Sequence, residues 1–253
     1  MIPYFGTTGW QIGFLKIQSW GLLVAMGFLV GLLISRWLVK KKKINQDIFL
    51  DLFVAILVFS LIGSRLFYVI FENAWGFYLR NPLDVFKIWQ GGLSSFGGFL
   101  GAAVVLSYFW SKKIVTWKEL DILAFAFPFG WVVGRLGCLM IHDHLGIFSS
   151  SVLAISFVQG ARLDMALMEI LMLLPLLFIF AWKGLKLLLY PSLLSSVLFL
   201  WYGVGRFFLD FLRAQDIAFP DARYLFLTVA QWGSIILVII ALKRIKKIYG
   251  RKI

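Results

Sequence analysis

Long apolar stretches with few charges recur along the whole chain and limit what it can fold into. A membrane-spanning helix needs about 20 apolar residues, and every stretch here has more than 17. None alternates with period 2, which excludes the strands of a membrane barrel. The apolar fraction of 61% agrees, because soluble domains have about 45–50%. The stretches lie at about 17–39, 48–71, 92–110, 119–141, 165–182, 188–212 and 224–242.

This pattern predicts an all-α polytopic membrane protein with seven transmembrane helices and a single transmembrane domain over residues 1–253. The first stretch is too long for a signal peptide, and its positive charges follow rather than precede it, so we expect a retained helix. Little chain remains for connections, which excludes a large soluble domain.

Basic residues are distributed unevenly between the two sides of the predicted bundle. With the N-terminus outside, the lysine run 40–43, the lysines at 112–118 and the basic cluster 243–252 all lie in the cytoplasm. The positive-inside rule then gives an N-out, C-in orientation. The net charge of +13 is accordingly a topology feature with attraction for anionic lipid, and it does not indicate nucleic acid.

Two outer connections follow from this orientation. Residues 72–91 carry Trp75, Tyr78 and Trp89 and are expected to lie along the membrane interface. Residues 142–164 form the longest outer loop. We therefore predict small outer interfacial segments and no further domain.

Ionisable residues inside predicted spans are costly and mark function by default. Arg206 and Asp210 are spaced i,i+4 on one helix, which allows an ion pair. Guanidinium forks suit phosphate, so an arginine-lined cavity predicts a phospholipid headgroup as the ligand. The alternative is that the arginines pair with the acids only to hold the bundle together. The set predicted near the outer leaflet is Arg65, Arg135, Glu169, Arg206, Asp210 and Arg213.

Glycine-rich segments flank the same layer, at 91–101 and at Gly134–Gly137. Glycines at the outer start of a helix would let backbone N–H groups reach an anion. Close helix packing of the small-xxx-small kind, as at Gly97 and Gly101, is the better explanation of these glycines by themselves.

The only two histidines of the chain stand in the triplet His142-Asp143-His144, just after a predicted helix that carries Arg135. A histidine beside a carboxylate can act as a general base. A metal site of two histidines and one aspartate is a competing interpretation, although adjacent residues rarely point at one metal. A solvated loop without a chemical role is the third interpretation of the triplet. The single cysteine, Cys138, excludes a disulfide framework and is expected to be a buried apolar residue.

Taken in order, these residues resemble the prolipoprotein diacylglyceryl transferase family over nearly the whole chain. The blocks that carry the resemblance are Ser19-Trp20-Gly21, Gly63-Ser64-Arg65, Asn81 to Gly98, Gly134-Arg135-Leu136-Gly137 with Gly146, Arg162 to Glu169, and Tyr202-Gly203 with Arg206, Asp210, Arg213 and Asp216. The resemblance implies transfer of a diacylglyceryl group from phosphatidylglycerol to the lipobox cysteine thiol of prolipoproteins. It implies the outer leaflet of the bacterial cytoplasmic membrane as the place, and neither a metal nor an organic cofactor.

The resemblance also suggests roles. Arg135 and Arg206, with Arg65, would hold the phosphate, and His142 or His144, oriented by Asp143, would deprotonate the acceptor thiol. Glu169 and Asp210 would orient the arginines. The residues expected to bind substrate are Arg65, Gly97, Gly98, Gly134, Gly137, Gly146, Glu169, Tyr202, Asp210 and Arg213.

Three departures from the family pattern keep other functions open. Phe96 stands where the family has a histidine, Trp20 where it has a tyrosine, and Cys138 where it has an asparagine. The chain could therefore be a transferase with altered substrate, or a non-catalytic relative that binds phospholipid or lipoprotein. A small transporter would explain only the buried charges, and the chain has no internal repeat to support it.

Overall fold

The computed structural model describes residues 1–12, 15–71, 75–88, 91–217 and 221–250, and most of them are helical. Trp89 of the predicted interfacial segment and the basic residues Arg251 and Lys252 lie outside the described residues. The helices are α1 (Ser19–Lys41), α2 (Gln46–Phe71), α3 (Trp75–Arg80), α4 (Ser95–Ser111), α5 (Trp117–Ile141), α6 (Met165–Leu187), α7 (Leu193–Leu209) and α8 (Val229–Tyr249).

Five of these helices, among the residues that the structure describes, are long and apolar enough to cross a membrane: α1, α2, α5, α6 and α7. Helix α4 is apolar but has only 17 residues. The prediction of a polytopic α-helical membrane protein is thus confirmed.

Two predicted spans begin later than expected because turns precede them. The stretch predicted from 188 becomes helical only at Leu193, after Tyr190-Pro191 and a Ser192 with φ of 69°. The stretch predicted from 224 starts as the paired strands β7 (Arg223–Tyr224) and β8 (Leu227–Thr228). Helix α8 then begins with a capping box between Thr228 and Gln231. Hydropathy cannot separate an apolar turn from an apolar helix, because it counts residue types only.

The predicted outer loop 142–164 contains most of a small sheet. Its strands are β1 (Ile2–Pro3), β4 (Leu145–Phe148), β5 (Ile155–Phe157) and β6 (Gly160–Asp164), in the order β1-β5-β6-β4. A separate antiparallel pair joins β2 (Gly9–Ile12) to β3 (Leu15–Gln18). Strands this short lack a readable alternation, so the sequence did not predict them.

The chain forms two compact units, Arg36–Glu119 and Met1–Ser35 with Leu120–Ile253. In the unit Arg36–Glu119, α2 packs closely on α4 through glycines. A Cβ on Gly97 would lie 2.9 Å from the Gly63 carbonyl carbon, and one on Gly101 would lie 2.7 Å from that of Phe59. The packing interpretation of these glycines is therefore the one that the geometry supports.

In the other unit, small residues bring α1 and α5 together in the same way. A Cβ on Gly137 would lie 3.1 Å from the Cα of Trp20, and one on Gly130 would lie 3.2 Å from the carbonyl carbon of Gly27. This approach places the last two turns of α5, with Arg135 and Cys138, beside the start of α1.

The buried Asp121 of α5 holds the start of α7. Its carboxylate accepts bonds from the backbone N–H groups of Ser192 and Ser195, at 2.7 and 2.8 Å, and from the Ser195 hydroxyl at 2.6 Å. It thus satisfies backbone donors that a helix start leaves without partners.

We expect Asp121→Ala to lower the free energy of unfolding by about 2 kcal/mol, because the buried donors at the start of α7 lose their acceptor. Thermal unfolding of the detergent-purified protein measures this. The exposed Asp51 supplies the matched control, Asp51→Ala. Equal melting temperatures for the two variants would contradict the capping role.

Candidate active site

The buried carboxylate of Glu169 is the centre of the polar cluster. Glu169 lies in the first turns of α6 and is 1% exposed. Its Oε1 accepts bonds from the Trp131 indole at 2.6 Å and the Tyr202 hydroxyl at 2.9 Å. Its Oε2 lies 3.0 Å from Nη2 of Arg135 and 3.0 Å from Nη1 of Arg206. One carboxylate therefore joins residues of α5, α6 and α7.

Arg206 has a second acid nearby, and Arg213 has an acid of its own. Arg206 Nη2 lies 3.1 Å from Asp210 Oδ1, which is the i,i+4 pair that the sequence indicated. Asp210 also accepts a bond from the Thr228 hydroxyl, just before α8. Arg213 pairs with Asp221. The charges of this layer are thus mutually compensated, as the bundle-stabilising alternative requires.

Arg135 differs from the other two in its hydrogen bonds, although Glu169 compensates its charge as well. Nη2 contacts Glu169, and Nη1 donates to the Cys138 sulfur at 3.7 Å. The guanidinium lies 4.8 Å from the centre of the Trp131 ring. Its Nε is buried and has no hydrogen-bond partner among the described residues. A buried donor without an acceptor costs about 1–3 kcal/mol, and more when it is charged, so this position favours an additional anionic ligand.

The two histidines, adjacent to Asp143 in sequence, have different environments. His142 is buried, its Nδ1 lies 2.8 Å from Asp164 Oδ2, and its Nε2 contacts the carbonyl oxygen of Phe5. It ends α5 with a φ of 51°, a region that glycine usually occupies at helix ends. Of the two histidines that the sequence paired with Asp143, His142 therefore contacts a different carboxylate, that of Asp164.

His144 is half-buried and lies 3.8 Å from Asp143, measured from Nε2 to Oδ2. Burial, with the nearby guanidinium groups of Arg135, Arg213 and Arg206, lowers the pKa of His144 to about 3, so its ring is neutral at neutral pH. Burial raises the pKa of Asp143 to about 6 against the opposing effect of Arg135. His144 is thus the histidine that lies near the guanidinium groups of Arg135, Arg206 and Arg213, which together form the arginine layer.

Cys138 also belongs to this group, which the sequence did not suggest. Its Sγ, a carboxylate oxygen of Asp143 and a ring nitrogen of His144 all lie within 4.8 Å of one another. Trp20 and Arg135 both donate to the sulfur. The metal-ligand set that the geometry offers is therefore one cysteine, one aspartate and one histidine, rather than two histidines and one aspartate.

The predicted glycines of this unit pack against neighbouring elements. A Cβ on Gly146 would lie 2.9 Å from the carbonyl oxygens of both Leu163 and Leu212, and one on Gly134 would meet only Val24. Gly146 forms an isolated bridge with Arg213. Its carbonyl accepts a bond from Arg162, which also pairs with Asp216. These contacts fix the segment that carries Arg213.

Arg65 belongs to the unit Arg36–Glu119, where main-chain carbonyls satisfy its guanidinium. Nε donates to Val85 at 2.9 Å, Nη1 to Gly91 and Gly92 at 2.6 and 2.9 Å, and Nη2 to Asp84 at 2.7 Å. This arrangement differs from the expected phosphate contact, and it makes Arg65 a residue that holds the main chain at Asp84, Val85, Gly91 and Gly92. In the same unit, a Cβ on Gly98 would lie 2.8 Å from the Ser64 hydroxyl.

Several residues of the site were missed from sequence. Trp131 lies inside an apolar span, where an aromatic residue carries no functional signal. Asp164 had a usable signal, since an aspartate immediately before an apolar helix is a typical N-cap, and it accepts bonds from the N–H groups of Ala166 and Leu167. Thr228 and Asp221 could be assigned only once their partners were known.

Comparison with known proteins decides the family. The model of the family described as prolipoprotein diacylglyceryl transferase matches residues 8–245. The chain belongs to this family. Its relatives include the phosphatidylglycerol–prolipoprotein diacylglyceryl transferase of Listeria innocua, 30% identical over 251 residues that cover 92% of this chain and 86% of that protein.

Two further family members carry the same name. The Staphylococcus xylosus protein is 28% identical over 94% of this chain and 88% of its own length. The Streptococcus pneumoniae (strain JJA) protein is 28% identical over 90% of this chain and 88% of its own length. The resemblance inferred from the ordered motifs is confirmed by these matches.

Proposed function

We propose that this protein transfers a diacylglyceryl group from phosphatidylglycerol to the cysteine thiol of prolipoprotein lipobox peptides. The proposal rests on its family membership, and the observation that carries it is the buried Nε of Arg135, which has no hydrogen-bond partner in the part of the chain that the structure describes. A phosphate oxygen is an acceptor that suits this position. The place of the reaction is the outer leaflet of the bacterial cytoplasmic membrane.

Arg135 holds the phosphate, with Arg206 beside it. Glu169 and Asp210 fix the two guanidinium groups. The remaining N–H donors of Arg135 and Arg206 therefore have a set orientation before the lipid binds. Donors placed in advance stabilise the negative charge that develops on the departing glycerol phosphate. Tyr202 and Trp131 hold Glu169 and act through it, as positioning residues.

His144 is the histidine that acts on the acceptor thiol. Both ring nitrogens of His142 are occupied, by Asp164 and by the Phe5 carbonyl, so His142 anchors the N-terminal segment instead. His144 lies next to Asp143 and close to the arginine layer. It stands in for the histidine that the family pattern has at Phe96, whose ring packs edge-on against Phe67.

For the topology, we propose seven spans in a single domain, with the N-terminus outside and the C-terminus in the cytoplasm. The spans are α1, α2, α4, α5, α6, α7 and α8. The lysines after α1 and at the end of α8 support this orientation. It places Arg135, His144 and the sheet of residues 145–164 on the outer side.

Mass spectrometry of a lipobox peptide incubated with the purified protein and phosphatidylglycerol tests the activity. We expect a mass gain of one diacylglyceryl group on the cysteine. An unmodified peptide, with phosphatidylglycerol nevertheless bound to the protein, would instead support a non-catalytic lipid-binding relative. That second function is favoured by Phe96, which cannot exchange a proton.

The two histidines give a matched pair of variants. We expect His144→Ala to abolish transfer with little change in melting temperature, because its side chain is half-buried and holds no other element. We expect His142→Ala to lower the melting temperature, because it removes the link between Phe5 and Asp164. The double variant should abolish transfer, and full complementation of a transferase-depleted strain by it would contradict the assignment.

A further inference from the structure

Cys138, Asp143 and His144 bring three kinds of metal-binding atom to one place. The sulfur comes from the last turn of α5, and the carboxylate and imidazole come from the turn that follows. The phosphate contact of Arg135 and Arg206 does not use Cys138 or Asp143. The thiol of Cys138 nevertheless lies close to Asp143 and His144, which indicates a chemical role for these three residues together.

We propose that Cys138, Asp143 and His144 form a site for a thiophilic divalent cation, Zn²⁺ above all, which takes the acceptor thiol as its fourth ligand. Zinc binds sulfur, nitrogen and oxygen ligands, and catalytic zinc sites combine three protein ligands with one open position. Thiolate and imidazole favour zinc over magnesium or calcium. The role of the fourth ligand rests on the proposed function, whereas the three-ligand site does not.

The distances suit a zinc ion after small side-chain rotations. Zinc–ligand bonds of about 2.0–2.3 Å put the ligand atoms of a tetrahedral site about 3.3–3.8 Å apart. His144 Nε2 and Asp143 Oδ2 are already 3.8 Å apart. The sulfur of Cys138 lies within 4.8 Å of both atoms, so it must approach them by about 1 Å to complete a tetrahedral site. Because the side chains of Asp143 and His144 are 33% and 29% exposed, they have room to turn.

The surrounding charges allow a cation despite the nearby arginines. The guanidinium groups of Arg135, Arg206 and Arg213 face this cluster, and carboxylates compensate all three. These carboxylates belong to Glu169, Asp210 and Asp221. The Asp143 carboxylate and a Cys138 thiolate would add two negative charges, which match a divalent ion.

The N–H groups that Trp20 and Arg135 direct at the sulfur are the kind of outer support that metal ligands usually have. They hold Cys138 in one orientation and stabilise negative charge on its sulfur. The sulfur of the cluster is thus supported by residues of α1 and α5.

The site would activate the acceptor thiol as follows. The thiol would bind at the open position and lose its proton to water, because a metal-coordinated thiol is deprotonated. His144 would then act on the thiol as a ligand of the metal and not as its base. The thiolate sulfur attacks the glyceryl carbon that carries the phosphate ester, since the thiolate is the nucleophilic form. A C–S bond forms, the C–O bond breaks, and its electron pair leaves with the oxygen of glycerol phosphate, whose phosphate Arg135 holds.

Metal binding by the full-length protein tests the site without any assay of activity. Protein purified in detergent and stripped with a chelator is titrated with Zn²⁺ against a chromophoric competitor. We expect one ion per chain, and an affinity at least about 10-fold lower in Cys138→Ser, Asp143→Asn and His144→Ala. Asp84→Asn, at a half-buried ion pair outside this cluster, is the control and should bind Zn²⁺ like the wild type.

Cobalt substitution gives a second measurement on the unaltered protein. We expect a sulfur-to-cobalt charge-transfer band in the wild type and none in Cys138→Ser. Absence of this band from the wild type, or unchanged zinc affinity in folded Cys138→Ser, would overturn the site.

The same preparations separate this proposal from the proposed function. Transfer to a lipobox peptide should be lost in stripped protein and restored by Zn²⁺. Transfer that survives complete removal of the metal would overturn the role in thiol activation and leave the proposed function standing. A zinc-loaded protein that never modifies the peptide would support the three-ligand site and contradict the proposed function.

Discussion

Replacing Arg135 with alanine is expected to lower kcat/KM for diacylglyceryl transfer by at least about 100-fold, the usual effect of removing a donor that stabilises developing charge. Arg135 is the guanidinium whose Nε is buried without an acceptor from any residue that the structure describes, and it lies beside the cluster of Cys138 and His144. Its loss removes both the phosphate donor and a donor to the Cys138 sulfur. Mass spectrometry of the lipobox peptide over time measures the rate.

The conservative variant Arg135→Lys distinguishes charge from geometry. Lysine keeps the positive charge but cannot supply a planar fork to phosphate and to Glu169 together. We expect it to recover only a small part of the activity. Arg80→Ala, at the exposed end of α3, is the control and should transfer at the wild-type rate. A rate for Arg135→Ala within 10-fold of wild type would contradict the phosphate contact.

Glu169→Gln is expected to give the largest loss of stability. The carboxylate is buried and shared by Arg135 and Arg206, so its neutral replacement leaves two buried guanidinium groups with one carboxylate fewer. Removing one partner of a buried ion pair costs about 3–5 kcal/mol. Thermal unfolding in detergent should show a large fall in melting temperature, together with loss of transfer.

Two further variants make this result specific. Lys87→Ala breaks a partly exposed pair with Asp84 and should change the free energy of unfolding by no more than about 1 kcal/mol. Adding Arg206→Gln to Glu169→Gln removes one of the uncompensated charges, so the double variant should lose less stability than the sum of the single variants. Additive losses would show that the shared carboxylate does not couple the two arginines.

The helical part of the fold could be predicted from sequence because hydropathy is a local property. Five predicted spans correspond to helices long enough to cross a membrane, and the costly charges within them include the Glu169 cluster. The predicted starts at 188 and 224 were early. Hydropathy counts Tyr190-Pro191 and the strands β7 and β8 as part of the apolar stretches that follow them. The sheet of residues 145–164 could not be predicted, since its strands are too short to show the period-2 alternation of a β-strand.

The site could be predicted only as far as residue types allow. Arg135, Glu169, Arg206 and Asp210 were recognisable because charges in apolar spans are rare, and the structure brings these four together. Arg65 was recognised for the same reason, yet its donors are taken by the carbonyls of Asp84, Val85 and Gly91, contacts that no local pattern encodes.

By itself, the sequence determined the membrane setting, the family and the arginine–carboxylate layer, since each depends on which residues occur and in what order. Only the tertiary structure showed that the two histidines have different surroundings and that Cys138 lies close to His144. The physical reason is the left-handed turn at His142, held by Asp164 and Phe5 from distant parts of the chain. That turn buries one histidine and directs the next toward the last turn of α5, and contacts between residues far apart in sequence fix it.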